Sequence, residues 1–303
     1  MEEQAQTMWV PIAGRWKFEN DMIVYLGSDS ERPEPPYGIV LSKDRVRSGI
    51  IETQVNFSEK PQDAAGRIIF GYTPRTRGYF SAGLGGHDSA YTLVEYRFPG
   101  VWKVLRAEGN SENLVSSGVE FHIQTRIRGQ QVSLIVNGAT VMEHDLPRLL
   151  DGEGIGLFAY GTGQVKFTAI RFDRARPQAF VIMQFGEPYD TLYTDVIKPV
   201  AEEMRFEAYR ADAVYRAGII LQDIIGGIVE SEVVIAEITP PNPNVFYELG
   251  YAHAKEKTTI LLAERGRELP FDIHGYRCIF YDNTIRGKNE VESELRKHLA
   301  NIL

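Results

Sequence analysis

The hydrophobic pattern of this chain changes at about residue 175, and that change limits the folds it can adopt. From Trp9 to Phe172, short runs of Ile, Val, Phe and Tyr are broken by Gly, Pro and Asn/Asp clusters, which is typical of β-strands. From Ala179 onward, strand-like and helix-like segments alternate, which is typical of a parallel sheet covered on both faces. A length of 303 residues is enough for two hydrophobic cores. We therefore predict two domains, residues 1–175 and 176–303.

The first half contains a clear hairpin signal. In "QVSLIVNGATVMEHDL", Asn137-Gly138 separates two alternating segments and suits the positive backbone angles of a two-residue turn. Many further strand-like runs and almost no helical pattern indicate an antiparallel β-sandwich of the jelly-roll type. "GLGGHD", which follows Ala82, lacks the spacing of a phosphate-binding loop, and we expect it to be a hairpin connection.

The second half has the order expected of a flavodoxin-like α/β domain. The strand-like segments are "AFVIMQF", "FEAYRAD", "VVIAEIT", "TTILLAE" and "YRCIFYD", with helical patterns after the first three and after the last. In open parallel sheets, ligands bind beyond the carboxyl ends of the strands, where the strand order reverses. The loops after the first three strands are therefore expected to form a cleft.

Composition excludes several classes of function. The net charge of −8 disfavours general nucleic-acid binding. One cysteine, Cys278, cannot form an intramolecular disulfide, and the scattered histidines lack metal-ligand spacing, so we predict no metal site. No run approaches the roughly 20 apolar residues of a membrane helix. We expect a cytoplasmic protein that does not contact membranes.

The segment "NPNVFYELGYAHA" has the signals of a helix that begins close to the predicted cleft. Asn242 or Asn244 can cap it, and Pro243 suits its first turn. Three apolar residues recur at helical spacing and should face the sheet: Val245, Leu249 and Ala252.

That spacing leaves Glu248 on a flanking face of the helix, together with Asn244 and Tyr251. On spacing alone, a glutamate in the first turns of a helix complements the helix dipole. The position by itself therefore favours an ordinary surface glutamate.

A family resemblance changes this interpretation. "VVIAEITPPNPNVFYELGYAHAKEKTTILL" resembles a segment shared by nucleoside 2-deoxyribosyltransferases and TIR-like nucleotide-processing domains, and the resemblance extends over roughly the carboxy-terminal two-fifths of the chain. In both groups the glutamate of the Glu-Leu-Gly-Tyr-Ala helix is catalytic, which implies that role for Glu248. The second acid of the transferases lies at the front of the preceding helix, and Asp223 occupies that place here.

Two departures from the pattern bear on the substrate. Relatives carry Asp after the third strand, where this chain has Glu237, and Asn242 stands where a base-recognising aspartate is expected. The second change disfavours deoxyribosyl transfer and favours NAD. We expect the substrate-binding residues to lie in the loops and on the helix: Gln184, Phe185, Gly186, Asp212, Arg216, Glu237, Asn242, Asn244 and Tyr251. Asp190 is expected only to cap the following helix.

The chemistry fits these families. Cleavage of an N-glycosidic bond builds positive charge on the sugar, which a nearby carboxylate can stabilise or capture. We predict an NAD-cleaving, TIR-like N-glycosidase with Glu248 as the catalytic carboxylate, no cofactor and NAD as substrate. A nucleoside 2-deoxyribosyltransferase or nucleotide hydrolase that needs Asp223, and a non-catalytic nucleotide sensor, are the alternatives. The resemblance further implies a homo-oligomer and an effector role in anti-phage defence.

A second resemblance concerns the first half. "GRIIFGY", "QVSLIVNGATV" and "GIGLFAYGTGQVKFTAIRF" resemble segments of concanavalin-like, laminin-G-like sandwiches. Members of such families bind sugars or proteins, although a fold does not by itself confer that function. The resemblance implies a recognition or assembly module, with a carbohydrate or a protein as its ligand.

Overall fold

The computed structural model of the chain describes residues 9–19, 21–28, 36–59, 64–210, 220–267 and 278–302. It divides into two compact units, one formed by Met1–Ile127 and Gln131–Ala175 and the other by Arg128–Gln130 and Arg176–Leu303. Two of the predicted site residues, Asp212 and Arg216, lie outside the described residues. Among the described helices, none has the length and apolar character needed to cross a membrane.

The described part of the first unit consists of two seven-stranded antiparallel sheets and one short helix, α1 (Ser111–Leu114). One sheet has the order β1-β4-β13-β6-β7-β8-β9, and the other has the order β12-β11-β10-β5-β14-β3-β2. The strands are β1 (Trp9–Ala13), β2 (Trp16–Glu19), β3 (Met22–Tyr25), β4 (Tyr37–Val46), β5 (Gly49–Phe57), β6 (Ala65–Thr73), β7 (Gly78–Gly85), β8 (Ser89–Arg97), β9 (Val101–Asn110), β10 (Glu120–Arg128), β11 (Gln131–Val136), β12 (Ala139–Asp145), β13 (Glu153–Tyr160) and β14 (Val165–Arg174).

The predicted jelly-roll-like sandwich is confirmed, and local sequence explains its strands. Along β5 every second side chain is buried, as expected of a strand with one face on a core. Asn137 and Gly138 both have positive φ and join β11 to β12 as the predicted hairpin. The predicted connection at "GLGGHD" is also confirmed, since β7 and β8 pair antiparallel on either side of it. The largest fully buried rings of the core between the sheets are Tyr25, Phe57, Phe70 and Phe167.

The second unit contains a five-stranded parallel sheet with the order β16-β15-β17-β18-β19, which confirms the predicted flavodoxin-like arrangement. Its strands are β15 (Gln178–Ile182), β16 (Glu207–Arg210), β17 (Val233–Glu237), β18 (Thr258–Glu264) and β19 (Cys278–Tyr281). Its helices are α2 (Tyr189–Leu192), a π-helical turn (Tyr193–Ile197), α3 (Lys198–Glu203), α4 (Ile220–Glu230), α5 (Pro243–Ala254) and α6 (Ile285–Ala300).

Side chains of β17 alternate between two cores, one on each face of this sheet. Val233 and Ile235 pack with residues of α2, the π-helical turn, α3 and α6. Val234 and Ala236 pack with residues of α4 and α5. Because both faces are covered, the strand is apolar along its length up to Glu237, as expected of a buried parallel strand.

Candidate functional site

The strand order reverses between β15 and β17, since the chain runs from β15 to β16 on one side and then from β17 to β18 on the other. The loops after β15 and β17 therefore meet at the carboxyl edge, where open α/β sheets bind ligands. The amide nitrogen Nδ2 of Asn242 lies 3.5 Å from Oε1 of Gln184. The structure thus brings together two predicted substrate-binding residues from different loops.

Asn242 is the cap of α5, which confirms one of the two predicted alternatives. Its Oδ1 accepts a hydrogen bond of 2.9 Å from the backbone N–H of Asn244, and Pro243 occupies the first turn. The three residues predicted to face the sheet are the buried residues of this helix: Val245, Leu249 and Ala252.

Glu248 is half-buried on α5. No described residue forms a hydrogen bond or an ion pair with its carboxylate. Burial alone raises the pKa of the Glu248 carboxyl to about 7, because desolvation disfavours the charged form. A glutamate that only complements the helix dipole would remain solvated, so this environment is unusual for a surface helix. Perturbed carboxylates of this kind are concentrated at functional sites.

Asp223 lies in the first turn of the neighbouring helix α4. Residues of both helices contribute to one core on the same face of the sheet, Ile224 and Ile228 from α4 and Val245 and Leu249 from α5. Since α4 and α5 both follow a strand and begin at the carboxyl edge of the sheet, Asp223 and Glu248 both lie in the first half of helices that start at this edge.

Other predicted residues have varied surroundings. Phe185, in the loop after β15, is 55% exposed. Gly186 has φ of +99° with open space around its Cα, and its carbonyl accepts hydrogen bonds from the first turn of α2. Asn244 is exposed on α5, and Tyr251 is half-buried there, with the ammonium of Lys255 5.9 Å from its ring centroid.

Arg210, at the end of β16, was missed by the sequence analysis. Its side chain is almost fully buried, and its guanidinium lies 5.0 Å from the ring centroid of Phe185 and 4.8 Å from that of Tyr193. Its Nη1 donates a hydrogen bond of 2.8 Å to Asp190, which lowers the pKa of that carboxyl. The expectation that Asp190 caps α2 was wrong, because Pro188 holds the cap position. The signal available in the sequence was an arginine at the carboxyl end of a predicted strand.

Glu237 is not brought together with Glu248. It continues the alternation of β17 onto the face that carries α2, α3 and α6, and it is 1% exposed. Its carboxylate accepts hydrogen bonds from Thr239 Oγ1 at 2.5 Å, from Thr239 N at 3.1 Å and from Tyr281 OH at 3.1 Å. Burial raises its pKa to about 7, although these hydrogen bonds act in the opposite direction.

A cavity of about 300 Å³ opens near Glu237, on the side of α2 and α6. Tyr189, Glu264, Tyr281 and Lys288 are among the side chains that line it. None of the predicted site residues that the structure describes lines this cavity. The described part of the chain contains no group of three or more His, Cys, Asp or Glu side chains suited to hold a metal ion.

Comparison with known proteins yields only distant similarities. No family model and no curated protein matches the chain. A carbohydrate-binding module of Bacillus subtilis is 13% identical over 55% of this chain and 94% of its own, with a TM-score of 0.46. The β-glucanase of Bacillus licheniformis is 10% identical over 55% of this chain and 92% of its own, with a TM-score of 0.41.

A third similar structure is the CMP N-glycosidase of Clostridium botulinum. It is 21% identical over 40% of this chain and 98% of its own, with a TM-score of 0.34. Similarity at these levels assigns no activity to either unit.

Proposed function

We propose that the second unit cleaves the N-glycosidic bond of a nucleotide, with Glu248 as the catalytic carboxylate and NAD as the favoured substrate. One observation carries this proposal. The Glu248 carboxylate is half-buried on a helix that starts at the edge where the strand order reverses, it has a pKa of about 7, and it has no described hydrogen-bond or ion-pair partner. A desolvated carboxylate in that position is available to a substrate.

The reaction needs a single negative charge beside the sugar. As the bond between C1′ and the nicotinamide nitrogen breaks, its electron pair stays on that nitrogen and neutralises the pyridinium. Positive charge builds on C1′ and the ring oxygen, and the ionised Glu248 stabilises it or captures C1′ covalently. Water then adds its oxygen to C1′ and releases a proton. No acid is needed for departure, because nicotinamide leaves as a neutral molecule.

A second candidate is cleavage or transfer at a nucleoside or nucleotide with a neutral base. Such a base needs a proton to leave. Asp223 favours this candidate, because it lies in the first turn of the helix that packs beside α5. Asp223→Asn separates the two reactions, since it should abolish release of a neutral base and leave nicotinamide release within about twofold of the wild type.

The test is product analysis by liquid chromatography. The 303-residue chain, at high concentration, is incubated with NAD and, separately, with a panel of ribonucleosides, deoxyribonucleosides and nucleotides. Glu248→Gln removes the charge and keeps the shape, so we expect a loss of at least about 100-fold in rate. Glu202→Gln, at an exposed glutamate of α3, is the matched control and should retain the rate.

The outcomes separate the candidates. Nicotinamide release that Glu248→Gln abolishes supports NAD cleavage, and free base from a nucleoside or nucleotide supports the second candidate. Binding of a nucleotide without turnover, weakened by Glu248→Gln, would replace both with a nucleotide sensor. If no substrate is bound or consumed at concentrations at which the chain self-associates, the proposed function is wrong.

For the first unit, we propose a recognition or assembly module that controls the second. The first half resembles concanavalin-like sandwiches in its sequence, and the family resemblance in the second half is to enzymes that act as oligomers. This role is tested by measuring the molar mass of the chain by light scattering, with and without a candidate carbohydrate or protein ligand. A change in nucleotide cleavage that follows ligand binding would support it.

A further inference from the structure

The outer face of the first sheet carries an apolar cluster of its own. Alternate residues of its strands, such as Val40, Ile68 and Leu157, point into the core between the two sheets. The residues between them point the other way and form a separate cluster, whose members all come from this one sheet: Ile39, Leu41, Ala65, Ile69, Tyr79, Tyr96 and Phe158, with Ala13, Tyr37, Tyr72 and Trp102 partly buried against them. This face is richer in aromatic rings than a solvated sheet face needs to be.

The rings show that this face is concave. Trp102 lies on β9 and Tyr37 on β4, which are five strand positions apart in the sheet order. In a flat sheet that separation would be about 24 Å. The two ring centroids are 5.7 Å apart, so the sheet curls until its end strand approaches β4. Trp102 also lies 4.6 Å from Tyr96 and 5.4 Å from Phe158, and it therefore packs over this cluster of aromatic rings.

Three polar side chains on this face are buried without complete partners. Arg67, on the middle strand β6, is 2% exposed, and its guanidinium lies 5.3 Å from the ring centroid of Phe158. Its Nη2 donates to the carbonyl of Gly85 at 2.8 Å, but its Nε has no partner. On the adjacent strand β7, the hydroxyls of Tyr79 and Ser81 are also buried without a hydrogen bond.

The charge of Arg67 is also uncompensated. No carboxylate of the described residues pairs with it, and burial lowers the pKa of its guanidinium to about 10. A buried polar group without a partner typically costs about 1–3 kcal/mol, and a charge costs more. Tyr79→Phe and Ser81→Ala would remove two of these costs with little change of shape. Residues that break a local rule without compensation are expected at functional sites.

We propose that the concave face of the first sheet binds an organic acid whose carboxylate is attached to a six-membered ring. The carboxylate meets the Arg67 guanidinium, whose planar fork matches it. The ring packs among the aromatic side chains, and the Tyr79 and Ser81 hydroxyls supply the remaining hydrogen bonds. An aromatic acid and a sugar acid share this chemistry, and the experiment distinguishes them.

Entry requires displacement of Trp102. Its indole covers the cluster of aromatic rings from β9, at the end of the sheet order, and its neighbour Val101 is 57% exposed. An end strand is held by one neighbouring strand within its sheet, so it can move at lower cost than a central strand. The ring of the ligand then takes the position of the indole among Tyr37, Tyr96 and Phe158.

Isothermal titration calorimetry of the full chain tests this site with four probes: glucuronate, benzoate, glucose and acetate. We expect glucuronate or benzoate to bind at least about tenfold more tightly than glucose and acetate, because only glucuronate and benzoate combine a carboxylate with a six-membered ring. Binding of glucuronate would identify the ligand as a sugar acid, and binding of benzoate would identify it as an aromatic acid. Arg67→Lys keeps the charge but loses the planar fork, and it should weaken binding by at least about tenfold.

The hydroxyl variants separate a ligand site from a packing defect. Tyr79→Phe and Ser81→Ala should leave the thermal midpoint equal or higher, and each should weaken acid binding by about threefold or more. Thr125→Val is the matched control, since its hydroxyl is also buried without a partner but lies on the other sheet. Thr125→Val should raise the thermal midpoint without changing the affinity for the acid. If neither acid binds at about 10 mM, or if glucose binds as well as glucuronate, the proposal is overturned.

Discussion

Tyr281 donates a hydrogen bond of 3.1 Å to the buried carboxylate of Glu237, and both residues lie on the face of the parallel sheet opposite to α5. The two glutamates of the second unit with raised pKa values are therefore different in kind. Glu237 is enclosed by donors from its own fold, whereas no described residue binds the carboxylate of Glu248. The first is an internal carboxyl of the fold, and the second is available to a ligand.

The first prediction concerns pH and stability. Because the pKa of Glu237 is raised in the folded state, its contribution to stability is complete below its ordinary pKa and is lost as the pH rises towards about 7. The free energy of unfolding should fall by up to about 3 kcal/mol over that range. Glu237→Gln should flatten this dependence, and the measurement is urea unfolding followed by circular dichroism at about 222 nm, since nearly all described helix lies in the second unit.

The difference between wild type and Glu237→Gln isolates this group. Glu248 titrates in the same window, and its contribution is common to both proteins. The lowered pKa values of His87, His144 and His253 act in the opposite direction and also cancel. An equal pH dependence in the two proteins would mean that Glu237 is already ionised well below neutral pH.

The second prediction concerns pH and catalysis. If Glu248 acts as a carboxylate, it must be ionised, and its pKa in the free enzyme is about 7. The value of kcat/KM for NAD should rise about tenfold per pH unit below that pKa and level off above it. Initial rates of nicotinamide release across this range provide the measurement. A rate that falls as the pH rises through 7 would assign an acid role to the essential group instead.

The third prediction concerns Arg210. Arg210→Lys keeps a charge beside Asp190 but loses the planar group between Phe185 and Tyr193, so it should destabilise the second unit by about 1–2 kcal/mol. The freed Phe185 ring should also raise KM for the nucleotide more than it lowers kcat. Arg286→Lys changes an arginine that is 91% exposed and should alter neither quantity. Equal effects of the two variants would exclude a role for the contact between Arg210 and the Phe185 ring.

The fourth prediction separates two roles of Asn242. Asn242→Ala removes the cap of α5 and the contact with Gln184, whereas Thr284→Ala removes only the corresponding cap of α6. Each should cost about 1 kcal/mol of stability. We expect Asn242→Ala alone to raise KM for the nucleotide, and Asn242→Asp to restore the cap without restoring KM. Comparable kinetics of the two alanine variants would leave Asn242 as a cap only.

The local features of this chain followed from its sequence. At about residue 175, strand-like runs give way to alternating strand-like and helix-like segments, and this change predicted the two fold classes. A hydrophobic period of two buries one face of a strand, and a period of 3.6 buries one face of a helix. The cap at Asn242, the buried face of α5 and the hairpin at Asn137-Gly138 depend on neighbours within a few residues, so the sequence alone was sufficient.

Only the tertiary structure decided which of the acidic and aromatic side chains meet. Glu237 and Glu248 are separated because α5 covers one face of β17 while Glu237 points to the other, and that choice depends on the strand order of the whole sheet. The partners of Arg210 come from the loop after β15, from α2 and from the π-helical turn. Trp102 meets Tyr37 through the curvature of a seven-stranded sheet. Such contacts join residues far apart in the chain, and burial then sets the pKa values that local sequence cannot determine.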